Sequence, residues 1–143
     1  MRVPLREVPA VAAALVVACA VEVGVRTLPL PRLARLAGAP LRHGGPAGPP
    51  PTRPVQFGPR ARLRLGAVRR VMRHWPYGDT CLRHALVAGH RIRRFGPELV
   101  VGVTKVEGEV RAHAWLEVGA GVYDPLGAAP AYLPLVPTAT EQP

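Results

Sequence analysis

The sequence contains only two cysteines, and this scarcity excludes two kinds of small protein. Cys19 and Cys81 lie 62 positions apart, with no CxxC pair and no series of cysteines and histidines around them. A disulfide-held domain needs several cysteine pairs, and a zinc module needs ligand pairs at short spacing. We therefore expect no disulfide framework, no metal site and no cofactor.

Lysine and acidic side chains are also scarce, so the charge of the chain is one-sided. Eighteen of the 19 basic residues are arginine, and with nine acidic residues the net charge is +10. Residues 1–75 carry 13 of the arginines and only two acidic residues, whereas residues 76–143 are close to neutral. The front half should therefore attract acidic partners.

The arginines are densest in residues 60–73, where nothing between them favours nucleic acid. Aromatic residues make up 5% of the chain and none falls in this segment, so bases would find no stacking partner there. No helix-turn-helix or zinc-finger pattern follows. We expect either a solvated face or a docking surface for an acidic protein or peptide, with Arg69, Arg70 and Arg73 as candidate binding residues, and no nucleic acid.

With 143 residues, the chain fits one domain and is too short for a large multidomain enzyme. Residues 38–59 contain seven prolines, a composition that cannot fill a core, and we interpret them as a linker that is partly polyproline II. The linker separates an N-terminal helical segment at residues 1–37 from a core at residues 60–135. Residues 136–143 are expected to form a flexible tail.

Residues 8–21 form an apolar run of 14 residues, which is shorter than the roughly 20 residues that span a bilayer. We interpret the run as a buried amphipathic helix with Glu22 and Arg26 on its solvent-exposed side. We expect the protein to be cytoplasmic. A weak association of residues 8–21 with a membrane is a further expectation. Small residues around Cys19 also resemble a lipoprotein cleavage site, and an exported lipoprotein, which would begin at Cys19, is the alternative.

The remaining pattern indicates an α+β protein. A basic helix is predicted to end at Gly38, a second follows the apolar stripe from Ala61 to Trp75, and a third begins at Cys81 after a cap at Asp79 or Thr80 and runs to Phe95. Three short strands are predicted after them, and the first two form a hairpin; these strands cover residues 99–103, 110–118 and 122–124.

Cys81, His113 and Asp124 are the candidate catalytic residues. A thiol at the N-terminus of a helix is favoured as the thiolate nucleophile, and it needs an imidazole as base and a polar group that orients this imidazole. Adjacent antiparallel strands bring Asp124 near His113. We expect the helix of Cys81 to pack on the face of the sheet that carries His113. Spacing alone leaves a buried, inert cysteine as the alternative.

Two more residues near this triad have competing interpretations. Trp115 is either part of the core or a wall of the substrate site. His84, which lies three residues after Cys81, either belongs with His74 and His90 to the polar face among the arginines, which is the interpretation that we adopt, or forms a metal site with them.

Several segments together resemble a known family. They are Cys81-Leu82-Arg83-His84-Ala85-Leu86 at the start of a helix, residues 96–103, Ala112-His113-Ala114-Trp115-Leu116-Glu117-Val118, and Val122-Tyr123-Asp124. In this combination they resemble the transglutaminase-like cysteine peptidases of lasso peptide biosynthesis, which remove the leader from the precursor peptide. The resemblance covers residues 81–135 well, and the arginine repeats after Leu28-Pro29-Leu30 are similar to the family's N-terminal part.

The resemblance implies a fold and a mechanism. The fold would be a papain/transglutaminase-like core, in which the cysteine-bearing helix packs on a small antiparallel sheet after N-terminal helices. Cys81 would attack the leader–core amide to form a thioester, His113 would act as base and then acid, and Asp124 would orient His113. The implied partners are the precursor peptide, a separate leader-recognition protein, and a lasso cyclase of the asparagine-synthetase type.

Two other functions remain open at this point. One is a basic, non-catalytic binding or scaffold protein that keeps the fold. The other is an acyl transferase of the same fold, which would transfer the acyl group to an amine instead of water.

Overall fold

Four helices and a four-stranded antiparallel sheet make up the fold. The computed structural model describes residues 2–43 and 51–135. The sheet has the order β3-β2-β1-β4, and the α+β prediction is confirmed. In chain order the elements are α1 Val8–Thr27, α2 Leu30–Leu36, α3 Pro59–Arg73, α4 Cys81–Arg91, β1 Glu98–Val106, β2 Glu109–Val118, β3 Gly121–Tyr123 and β4 Leu133–Pro134.

All four helices end at residues other than those predicted, and the differences are largest in α1 and α4. α1 continues beyond residue 21 to Thr27, where Pro29 favours extended backbone in Leu28. α4 ends at Arg91, earlier than predicted, and a single 3-10 turn then leads to Gly96. Gly96 adopts φ +64°, a left-handed conformation that glycine reaches without steric cost.

Parts of the predicted linker are hydrogen-bonded to the sheet. The Arg42 N–H donates to the Leu99 carbonyl at 3.0 Å, and the Val55 N–H donates to the Val122 carbonyl at 3.1 Å. Leu41 and Pro54 thereby form single bridges beside β1 and β3. Residues 44–50 of this segment and the predicted tail at residues 136–143 lie outside the described residues. The proposed domain boundaries stay a prediction.

A buried carboxylate ties α1 to the rest of the helical layer. Glu22 is 6% exposed, and its oxygens accept hydrogen bonds from Arg83 at 2.7 and 3.1 Å, from Trp75 at 3.1 Å and from Arg26 at 3.0 Å. The hydrogen bonds from Arg83, above all, lower the pKa of Glu22 to about 2. The expectation that Glu22 faces water is therefore wrong, because Arg83, 61 positions away, compensates its charge.

The helices cover one face of the sheet, and it is not the face that we expected. Leu99, Ala114 and Leu116 share the main core with the helices. His113 and Trp115 alternate to the opposite face, where Trp115 packs with Val100, Ala129 and Tyr132. The prediction that α4 covers the face of His113 is wrong, since the apolar alanine and leucine side chains of β2 provide the better contact for a helix.

The packing of the opposite face of the sheet depends on a glycine. In Gly102, which pairs with His113 in the sheet, a Cβ would lie 2.6 Å from the Trp115 ring and 2.9 Å from the Tyr132 Cβ. We expect Gly102→Ala to destabilise the protein by about 1–3 kcal/mol, because buried overpacking displaces the indole. Denaturant unfolding would measure this loss.

Gly66 provides the matched control for this substitution. It lies inside α3 and a Cβ there meets nothing within 4 Å. Gly66→Ala should leave stability unchanged or raise it by up to about 1 kcal/mol. Equal effects of the two substitutions would contradict the packing that we assign to Gly102.

Candidate active site

The three predicted catalytic residues line one cavity. Cys81 comes from the first turn of α4, His113 from β2, and Asp124 from the end of β3. Arg69 and Arg73 of α3 lie on the same wall. Residues from four separate elements thus converge on one cavity.

The position of Cys81 follows from the cap of its helix. Thr80 has extended backbone, and its hydroxyl accepts the Arg83 N–H at 3.3 Å, so α4 begins at Cys81. The sequence left Asp79 and Thr80 open as caps, and the structure has Thr80. The half-buried thiol lies in this first turn, together with the backbone N–H groups of Cys81 and Leu82, which have no acceptor within the helix. The same N–H groups could stabilise an oxyanion.

His113 and Asp124 form a buried pair. His113 Nε2 lies 2.9 Å from Asp124 Oδ2, and the two side chains are 5% and 4% exposed. In this arrangement Nε2 donates its proton to the carboxylate, so the neutral imidazole keeps its lone pair on Nδ1. In this tautomer, a base can accept a proton at Nδ1.

The Asp124 carboxylate is itself fixed by backbone donors. Oδ2 accepts the N–H groups of Ala128 and Ala129, each at 2.8 Å, and Oδ1 accepts that of Leu126 at 3.1 Å. These bonds satisfy the charged form of a buried carboxylate. The loop after β3 therefore orients Asp124, which in turn orients His113.

Aromatic rings hold the imidazole from two sides. The Trp115 ring is stacked on His113 with 5.9 Å between centroids, and the Tyr132 ring lies at 5.1 Å. Trp115 is 0% exposed, and its indole N–H donates to Glu117 Oε1 at 3.3 Å. Glu117 is paired with Arg42. Trp115 is thus a core residue that also lines the cavity; its contact with substrate stays a prediction.

A second histidine, which was not predicted from the sequence, lies in the cavity. His84 is 7% exposed; its Nδ1 lies 3.3 Å from Asp79 Oδ1 and its Nε2 lies 3.5 Å from the Tyr123 hydroxyl. The assignment of His84 to the polar face is therefore wrong. The i, i+3 spacing from Cys81 was the available signal, since it places both side chains on one side of α4.

Burial changes the pKa values of His84 and Tyr123. It lowers the pKa of His84, against the opposing effect of Asp79, and nearby Arg69 lowers it further. It also raises the pKa of Tyr123 to about 12. At neutral pH, both side chains are therefore uncharged.

The lowered pKa of His84 predicts an acid sensitivity of the fold. Below about pH 6.5 the unfolded chain protonates His84 more readily than the folded chain does, so the stability decreases as the pH is lowered. We expect the melting temperature to drop from pH 7 to pH 5, and to drop less in His84→Gln. His74→Gln is the control, because the side chain of His74 is exposed and its Nδ1 lies 2.9 Å from the Arg70 carbonyl oxygen. An unchanged pH dependence in His84→Gln would contradict this assignment.

The predicted arginines are divided between two sites. Arg69 and Arg73 line both the cavity and a neighbouring groove along α3, whereas Arg70 lines the groove alone. Arg70 Nη1 also pairs with Glu7 at 3.0 Å. Within residues 2–43 and 51–135, Arg69 and Arg73 make no salt bridge. Their charge is therefore available to a ligand.

Metal chemistry has no candidate site in the part of the chain that the structure describes. No group of three or more His, Cys, Asp or Glu side chains there is placed to hold a metal ion.

Comparison with known proteins gave one finding. The model of a family described as the transglutaminase-like superfamily matches residues 15–136. The match spans α1 to β4 and includes every residue of the candidate triad. No curated protein and no solved structure matched the chain.

Proposed function

This chain belongs to the transglutaminase-like superfamily, and on that premise we propose that it is a cysteine peptidase that removes the leader from a lasso precursor peptide. The superfamily includes both cysteine peptidases and acyltransferases. The observation that supports catalysis is the buried pair of His113 and Asp124, 2.9 Å apart, in the cavity of Cys81. An inert scaffold would have no need to bury this pair beside a thiol.

The reaction begins with attack of the Cys81 sulfur on the carbonyl carbon of the scissile amide. His113 Nδ1 takes the thiol proton, and the N–H groups at the start of α4 stabilise the oxyanion. The C–N bond then breaks, and His113 gives the proton to the leaving amine. The leader remains bound to Cys81 as a thioester.

Water completes the cycle. It attacks the thioester carbonyl while His113 Nδ1 accepts one of its protons, and that proton returns to the sulfur when the C–S bond breaks. The products are a carboxylic acid and the free thiol. Asp124 keeps its negative charge throughout and stabilises the imidazolium that forms twice.

The substrate and partners of the proposal come from the sequence resemblance. A separate recognition protein would present the leader, and an asparagine-synthetase-like cyclase would use the released core, all in the cytoplasm. The groove along α3 adds a physical reason for a peptide ligand. Its arginines lead from the cavity along the helix surface, so acidic residues of the leader or of the recognition protein would bind there.

This docking surface leads to a prediction. Arg69→Gln/Arg73→Gln should raise the KM for the precursor about tenfold or more and change kcat less, because these side chains attract the ligand without taking part in bond breaking. Arg94→Gln/Arg111→Gln removes the same charge from exposed positions that do not line the cavity. Equal KM changes in both double variants would show that only net charge matters.

The test of the proposed function is cleavage of a lasso precursor peptide in the presence of its leader-recognition protein. Mass spectrometry should show a free leader and core. An added primary amine distinguishes the acyl transferase, since transfer would give a leader–amine conjugate instead of the acid. A folded protein that binds the peptide and forms neither product would support the scaffold.

A further inference from the structure

The water-facing side of α1 is apolar along most of its length. Eight exposed positions between Val8 and Val23 recur at intervals of one, three or four residues, which places them on one stripe of the helix. None of them carries a charged side chain, an amide or a hydroxyl. We call this set the α1 stripe; its members are Val8, Pro9, Ala12, Leu15, Val16, Cys19, Ala20 and Val23.

The stripe continues onto α2. A groove beside it is lined by Val16, Val23 and Leu36, whose exposed fractions are 69%, 62% and 67%. Contiguous apolar surface of this kind on a folded domain marks an interaction site, whereas single exposed apolar residues need no explanation.

The opposite side of α1 decides how the helix can meet a membrane. The helical stretch Leu5–Thr27 is long enough to cross a bilayer and contains an 18-residue window with a mean hydropathy of 2.3, of which 28% is buried. However, Ala14 and Ala18 lie in the core, and Glu22 is bound to Arg83 of α4. A helix held in this way can lie along a membrane surface while the domain stays folded.

Charged side chains lie at both ends of the stripe, and they are arginines. Arg2 and Arg6 are exposed before it, and Arg32 and Arg35 are exposed on α2 after it. The two acidic residues of the first 43 positions are both paired, Glu7 with Arg70 and Glu22 with Arg83 and Arg26. Arg2, Arg6, Arg32 and Arg35 form no salt bridge with any of residues 2–43 and 51–135, and an apolar stripe between such cations complements a surface of anionic headgroups over acyl chains.

We propose that the α1 stripe and its flanking arginines dock this protein on an anionic lipid bilayer, with α1 parallel to the membrane surface. A protein partner is the less suitable occupant, because protein interfaces carry about one hydrogen bond per 100–200 Å² and the stripe offers no polar side chain except the Cys19 thiol. This inference is independent of the proposed peptidase activity.

The experiment is co-sedimentation of the full chain with vesicles of phosphatidylcholine alone and with vesicles that also contain phosphatidylglycerol. The wild type should bind the anionic vesicles at least tenfold more tightly, and added salt should weaken this binding. Val16→Glu/Val23→Glu should lower the affinity at least tenfold, because it places two charges on the stripe.

Two further variants make the result specific. Val110→Glu is the matched control, since Val110 is 72% exposed on the hairpin and far from α1 in sequence, and it should bind as the wild type does. Arg32→Gln/Arg35→Gln removes flanking charge without altering the stripe, so it keeps the test valid if the double glutamate variant fails to fold. It should reduce the preference for anionic vesicles.

Light scattering would show whether a second copy of the chain, instead of a bilayer, covers the α1 stripe. Absence of vesicle binding by the wild type, or equal binding to both vesicle types, would overturn the proposal. A dimer that Val16→Glu/Val23→Glu dissociates, without vesicle binding, would assign the stripe to self-association instead.

Discussion

Replacing Cys81 by alanine should lower the rate of precursor cleavage by about 1,000-fold or more. The thioester needs the sulfur, and the remaining groups of the cavity can act only on water. Alanine is a good helix former, and Thr80 still caps α4, so the variant should keep its fold and still bind the precursor. Mass spectrometry of timed reactions would measure the cleavage rate, and circular dichroism would show whether the variant keeps its fold.

Cys19→Ala is the matched control for this variant. Cys19 is the other cysteine of the chain, and it is exposed on α1 away from the cavity. Its replacement should leave the cleavage rate unchanged within about twofold. If Cys81→Ala cleaves as fast as Cys19→Ala, then the assignment of the nucleophile is wrong.

Removing the carboxylate in Asp124→Ala should lower kcat by about 1,000-fold and also destabilise the protein. The imidazole loses the acceptor that fixes its tautomer, and three backbone N–H groups lose theirs, at a cost of about 1–3 kcal/mol. These donors belong to Leu126, Ala128 and Ala129. Rapid-quench kinetics at a temperature where the variant is folded separates the two effects.

Asp124→Asn should cost less, about 10- to 100-fold in kcat. Two backbone N–H groups and His113 all donate to Oδ2, so the amide oxygen should take this place and keep His113 in the active tautomer. Only the contact with the Leu126 N–H is lost, along with the negative charge that stabilises the imidazolium. A loss in Asp124→Asn as large as in Asp124→Ala would show that charge, not orientation, is the main contribution.

A carboxylate outside the site gives the control for both substitutions. Glu109 lies at the start of β2 and is exposed. Glu109→Ala should change the free energy of unfolding by no more than about 0.5 kcal/mol, and it should change kcat by no more than the corresponding factor of about two.

The helices and strands around the site could be predicted from the sequence. Thr80 and the apolar period of α4 predict a helix that begins at Cys81, and the glycine turn between two alternating runs predicts the hairpin that carries His113. The proximity of His113 and Asp124 follows from strand pairing, since β2 and β3 are adjacent and antiparallel. Such features depend on neighbours within a few residues or one turn.

The contacts between distant segments could not be read in the same way. Alternation shows that His113 and Trp115 share a face, but it cannot show which face α4 covers, because both faces of β2 carry side chains suited to burial. Glu22 resembled a solvated residue until Arg83 was placed beside it. His84 likewise resembled one more polar residue among arginines.

The sequence by itself therefore determined the secondary structure around the site and the basic character of α3, and it predicted Cys81, His113 and Asp124 as the catalytic residues. Only the tertiary structure decided which polar side chains are buried and which apolar helix face has no partner. The physical reason is that burial of a charge or an imidazole depends on compensating groups far along the chain, whereas helix starts and strand pairs depend on near neighbours.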